Sequence, residues 1–86
     1  MNWAYVIDPS ARKDLGRIPK KDTVRILDAI DGMQNDPYRG DLTKLDGIAW
    51  RRRIGNYRIK FTLDQEMRVI EVYEIERRTS TTYRYR

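Results

Sequence analysis

The stretch Ala49-Trp50-Arg51-Arg52-Arg53-Ile54-Gly55-Asn56-Tyr57-Arg58-Ile59-Lys60-Phe61 decides how this chain folds. It predicts two short strands that meet at a turn, with Gly55-Asn56 as the turn dipeptide. Successive side chains of a strand point to opposite faces. Tyr57, Ile59, Phe61 and Leu63 therefore share one face, and Arg58, Lys60 and Thr62 the other. In the preceding strand Arg51 and Arg53 fall opposite Trp50, Arg52 and Ile54. If both strands turn their apolar sides to one core, Arg51, Arg53, Arg58 and Lys60 converge on one open surface. Trp50 and Tyr57 then read as core residues, and Arg52 must snorkel out from a core-facing position. Like charges on neighbouring strands repel by roughly several tenths of a kcal/mol per pair. The pattern calls for a polyanion.

Working outward, 86 residues make one small domain, expected to span 1–86. Apolar content of 40% against 36% charged residues points to a folded domain with a thin core. Cysteine is absent, which removes disulfides and thiolate metal sites and fits a reducing cytosol. Histidine is absent as well, so histidine-dependent hydrolysis is excluded and acid–base chemistry falls to Arg, Lys, Tyr or carboxylates. With no membrane-length apolar run and no signal-peptide layout, a cytoplasmic location is expected. Of the net charge of +5, all lies in residues 49–86, where ten Lys/Arg face five Asp/Glu. Nine of those ten are arginine, whose planar fork suits phosphate.

Residues 2–7 are rich in strand formers and apolar on both parities, which predicts a strand buried on both faces. Asp8-Pro9 then caps and opens a short helix, with Ala11, Leu15 and Ile18 on one face and Pro19 as its stop. A second helix is expected over 21–35, its apolar stripe built from Val24, Leu27 and Ile30 with Ile26 and Met33 beside them. Residues 37–47 carry Pro, two Gly and alternating charges and read as a loop. After the hairpin, residues 67–75 form a third meander strand, whose lack of alternation fits an interior position. The fold class is α+β: a two-layer sandwich of an N-terminal strand, a two-helix hairpin and an antiparallel three-strand meander, with one sheet face open.

An open basic sheet face suits single-stranded nucleic acid better than a duplex groove, because no helix here carries enough positive charge to enter one. The tail supplies Arg77, Arg78, Tyr83 and Arg84. Cations favour the phenolate of a tyrosine, so Tyr83 among arginines could take a proton from a ribose 2′-hydroxyl while the arginines stabilise a pentacoordinate phosphate. The alternative is an ordinary amphipathic tail residue. Asp28, Asp31 and Asp36 provide no third metal ligand at helical spacing and read as a solvated face; no metal or cofactor is expected.

Taken together, Leu45-Asp46-Gly47, the Trp50–Phe61 core, Ile75-Glu76-Arg77-Arg78 and Tyr83-Arg84 resemble the RelE/ParE superfamily of toxins from type II toxin–antitoxin pairs, and most closely its RelE-like branch. The likeness covers nearly the whole chain and implies the microbial RNase-like RelE fold. It implies a metal-independent, ribosome-dependent mRNA endoribonuclease (an mRNA interferase) that inhibits translation. Its partners would be the ribosome, mRNA and a cognate antitoxin protein. By position, Arg51, Arg53 and Arg58 would bind the phosphate, Arg77 would assist the leaving group, and Tyr83 or a basic neighbour would activate the 2′-hydroxyl. Arg78 rivals Arg77 for its role, and Lys60, Arg78 and Arg84 would add RNA contacts. Two alternatives stay open: a ParE-like DNA gyrase inhibitor, and a nucleic-acid-binding module without catalysis.

Overall fold

The computed structural model describes residues 2–77. Its elements run β1 (Ala4–Ile7), α1 (Pro9–Gly16), α2 (Lys20–Gly32), β2 (Leu42–Asp46), β3 (Ala49–Ile54), β4 (Tyr57–Asp64) and β5 (Val69–Arg77). They form a five-stranded sheet in the order β1-β5-β4-β3-β2. Strands β2 to β5 are an antiparallel meander, and β1 adds in parallel to β5. The architecture is the expected α+β sandwich, with one more strand than the sequence pattern predicts. Residues 42–46, read as loop, pair with β3 as an edge strand whose side chains are mostly exposed. With only Leu42 packed against the core, such an edge strand leaves no hydrophobic period to detect.

The core lies between the helices and one face of the sheet. Alternation along β4 is complete, with Tyr57, Ile59, Phe61 and Leu63 buried. Across from them α2 buries Ile26 and Ile30, with Met33 buried at its C-cap, while Val24 and Leu27 are 53% and 37% exposed. The expected stripe is thus centred wrongly: a helix resting on a sheet buries one i, i+4, i+7 line, and Val24 and Leu27 sit off it. The first strand also departs from expectation. It lies at the sheet edge, and with the helices of the described residues on one side its Tyr5 and Ile7 turn inward while Val6 stays 50% exposed.

Asp8 takes the N-cap position of α1 and Pro9 its first turn, but the Asp8 carboxylate makes no capping bond. It instead faces Glu71 on β5, and the Asp8 carboxylate, with burial, raises the Glu71 pKa from its ordinary value. The segment between α2 and β2 is stitched down by aromatics. Tyr38 stands edge-on to both Trp3 and Trp50, at centroid distances of 6.4 and 5.8 Å, and Pro37 before it is fully buried.

The irregular pattern of β5 has a specific cause. Lys60 pairs with Glu74 and Phe61 with Val72, so Tyr73 is an extra residue, a β-bulge. Helix α1 satisfies the backbone there: Ser10 Oγ donates to the Tyr73 carbonyl at 3.0 Å, and the Ile75 N–H donates to Asp14 Oδ2 at 3.0 Å. Ser10 and Asp14 are i, i+4 neighbours on one helix face, which is what lets both reach the same bulge. Replacing Asp14 by Ala strands a partly buried N–H and should cost about 1–3 kcal/mol, whereas Ser10→Ala should cost about 0.5–1.5 kcal/mol. Urea denaturation midpoints of the two variants check this ordering.

Candidate nucleic-acid interface

The β3–β4 hairpin places the basic residues. Its turn has Gly55 at φ 57°, a conformation glycine adopts without strain. The register sets Arg53 directly opposite Arg58 and Arg51 opposite Lys60, all on the face away from the helices. Thr43 of β2 lies opposite Arg51, and the Arg53 N–H donates to the Asp41 carbonyl at 3.0 Å. Asp41, Thr43, Arg51, Arg53 and Arg58 line a recess of about 220 Å³. Three guanidiniums around one polar hollow can accept a phosphate through several charge-assisted hydrogen bonds.

Lys60 does not line this recess. Its Nζ lies 3.4 Å from Glu74 Oε1 and 3.5 Å from Glu76 Oε2, the only ion pairs among the described residues. Burial between the strands pulls its pKa down, and the two carboxylates more than offset this, leaving it above the ordinary 10.5. The repulsion inferred from sequence is therefore relieved from within at Lys60. Glu76, opposite Arg58, and Glu74, opposite Lys60, are given no role on this face in the sequence reading because the bulge decides which way they face. Asp41 and Thr43 are likewise missed, since they belong to the stretch read as loop.

Arg77 is not brought to the recess. It pairs with Tyr57, whose side chain is buried on the helix side, and its guanidinium carbon lies 5.9 Å from the Tyr57 ring centroid. With Asp14, Arg17, Ile18, Pro19, Tyr57 and Ile75 it lines a separate hollow of about 200 Å³. Parity with Ile75, an inward residue, would have shown this. Arg78, Tyr83 and Arg84 lie outside the described residues. Arg52 keeps core parity opposite Ile59 and snorkels to the rim, where its guanidinium covers Gly40. A Cβ at Gly40 would come within 2.8 Å of Arg52 Nε, and φ 98° already favours glycine there.

Comparison with protein-family models finds no match, and comparison with curated protein sequences finds none either. Solved structures do match. The RelE–RelB complex from Pyrococcus horikoshii superposes with a TM-score of 0.83 at 25% identity, over 94% of this chain and 100% of that one. The RelBE2 toxin–antitoxin complex from Mycobacterium tuberculosis gives 0.81 at 20% identity, over 91% and 100%. This is the RelE toxin fold. A YoeB/ParE toxin from Agrobacterium tumefaciens also matches, at 0.72 and 20% identity over 88% and 99%. The neighbours support a RelE-like toxin of a type II toxin–antitoxin system, within the RelE/ParE superfamily.

One titration reports on the RelE-like frame behind the interface. The Tyr57 hydroxyl donates to Asp22 Oδ2 at 2.8 Å, and this bond, with burial, raises its pKa above the ordinary 10.0 against the pull of Arg77 and Arg25. A folded-state pKa above the unfolded one keeps its contribution intact below about pH 10 and removes it as pH rises through the folded value. Denaturation midpoints between about pH 9 and 11 should fall more steeply for the wild type than for Tyr57→Phe.

Proposed function

We propose that this chain is the toxin of a type II toxin–antitoxin pair and cleaves mRNA on the ribosome, in the cytoplasm. The observation that carries the reading is the Arg51–Arg53–Arg58 recess on the uncovered sheet face of a RelE fold. In this reading the scissile phosphate sits among the three guanidiniums, which are present before substrate arrives and oppose the charge that builds on a pentacoordinate phosphorus. Tyr83 takes the proton from the 2′-hydroxyl. The 2′-oxygen attacks phosphorus in line, and the bond to the 5′-oxygen breaks. The products are a 2′,3′-cyclic phosphate and a 5′-hydroxyl, whose proton comes from solvent. Arginine stays protonated near neutral pH, so it serves as donor and counter-charge while the tyrosine moves the proton.

Arg77 packs against Tyr57 on the other face, so in this reading Arg78 takes over the part of the arginine beside the leaving oxygen. In this reading Arg84 adds an RNA contact, whereas Lys60, expected from strand parity to add another, is engaged by Glu74 and Glu76 instead. A cognate antitoxin is the natural partner, since several of the matching structures are RelB–RelE complexes. An acidic segment of such a partner complements the guanidinium recess and the exposed β2 edge. The YoeB/ParE neighbour supports a second reading, a gyrase inhibitor in which the recess is dispensable for toxicity.

Primer extension on a defined mRNA, with and without translating ribosomes, tests the proposal. New 5′ ends should appear only with ribosomes. Arg58→Ala and Tyr83→Phe should each lower cleavage by about 10²-fold or more. Toxicity that survives both substitutions and is accompanied by DNA breaks would favour the gyrase reading. RNA binding with no cleavage by the wild type would leave a binding module.

A further inference from the structure

Resting on the reading of the Arg51–Arg53–Arg58 recess as the anion site, we infer that Glu74 and Glu76 hold Lys60 out of that site and confine a bound RNA strand to the β2–β3–β4 side of the sheet. Four cations alternate onto the open face, yet they are not equivalent. Lys60 is directly opposite Arg51 but is absent from the recess that Arg51 lines. Its ammonium lies between two carboxylates on the neighbouring strand, with its side chain 24% exposed. Among the described residues, Arg51, Arg53 and Arg58 form no ion pair.

The carboxylates belong to a column. Along β5, Glu71, Glu74 and Glu76 lie opposite Thr62, Lys60 and Arg58, all on the open face. A phosphate backbone crossing β5 meets this column, whereas one crossing β3 toward β2 meets guanidiniums. For a phosphate to recruit Lys60 it must displace two carboxylates already at ion-pair distance and leave them facing the incoming strand. Such an exchange gains one ion pair and loses two. The open face is thus one-sided, and Lys60 serves as counter-charge to its boundary and leaves phosphate to the arginines.

The logarithm of affinity for a single strand falls with the logarithm of salt concentration at a slope of about 0.7 per phosphate contacted. Fluorescence anisotropy with a 2′-O-methyl RNA oligonucleotide, which cannot be cleaved through a 2′-hydroxyl, reads that slope apart from catalysis. Wild type and Lys60→Gln should have the same slope. The double variant Glu74→Gln/Glu76→Gln should steepen it by about 0.7, and adding Lys60→Gln to that variant should restore the wild-type value. A shallower slope for Lys60→Gln alone would overturn the inference, because Lys60 would then already hold a phosphate. So would an unchanged slope in the double variant, or a steepening that persists without Lys60. Loss of salt-dependent binding in Arg58→Ala confirms that the recess is the anion site. Absence of binding in all the proteins overturns the inference together with the recess reading. Binding that follows the expected slopes while the mRNA stays uncut overturns the nuclease reading only.

Discussion

Much of the structure depends on one extra residue in β5 and on the helix that holds it. If β5 alternated without interruption from Ile70 and Val72, then Glu74 and Glu76 would point into the core and Ile75 would point to solvent. The bulge at Tyr73 reverses that parity, sending Ile75 inward beside Ile59 and both glutamates outward beside Lys60 and Arg58. A bulge leaves backbone groups off the ladder, and such groups need partners when removed from water. Ser10 and Asp14 of α1 supply them. The packing of α1 and the charge pattern of the open face are therefore consequences of the same local irregularity.

The other end of the molecule is held by a different device. The Tyr38 ring stands between Trp3 and Trp50 and joins the lead-in to β1, the segment after α2, and β3. Arg68 and Lys44 approach the outer rings at 5.7 Å, and Gln65 donates to the Tyr38 hydroxyl. Edge-to-face aromatic contacts add about 0.5–1.5 kcal/mol each beyond the area they bury. Their larger effect here is positional: the segment they fix leads directly into Asp41 and Thr43, the outer wall of the basic recess.

The hairpin was legible in the sequence because it obeys one clean period. The helix pair was legible because Asp8-Pro9, Pro19 and Asp36-Pro37 punctuate it, although apolar residues off the buried line of α2 blurred which face it packs. Alternation from Tyr57 to Leu63 against Arg58 to Thr62 gave the sheet face of every residue in β4, and from it the clustering of Arg51, Arg53 and Arg58. What escaped reading did so for identifiable reasons. Strand β2 turns only Leu42 toward the core, too little to reveal a period. Strand β1 looks apolar on both parities because Val6 is an exposed valine, and exposure of a single apolar residue follows no rule. The glutamates of β5 were unreadable until the bulge was placed, since one residue of shift exchanges the two faces. Arg77 is the instructive case: a motif match grouped it with the other arginines, whereas its spacing from Ile75 sets it on the opposite face.

The distribution of charge on the open face separates what stability requires from what it does not. Lys60 is compensated twice over, so the fold can neutralise a cation on this surface where it has a strand with carboxylates alongside. Arg53 and Arg58, directly opposite each other, are left to repel across the hairpin at roughly 0.2–1 kcal/mol. A glutamate at position 53 would replace this repulsion with an opposite-charge pair, by the same cross-strand geometry that Glu74 provides to Lys60. The concave hollow instead gathers three guanidiniums. Local rules of sheet stability are obeyed along β4–β5 and broken along β3–β4, and such breaks concentrate where a ligand's charge completes the set. On this face the break coincides with the recess, and its limit is the line of carboxylates on β5.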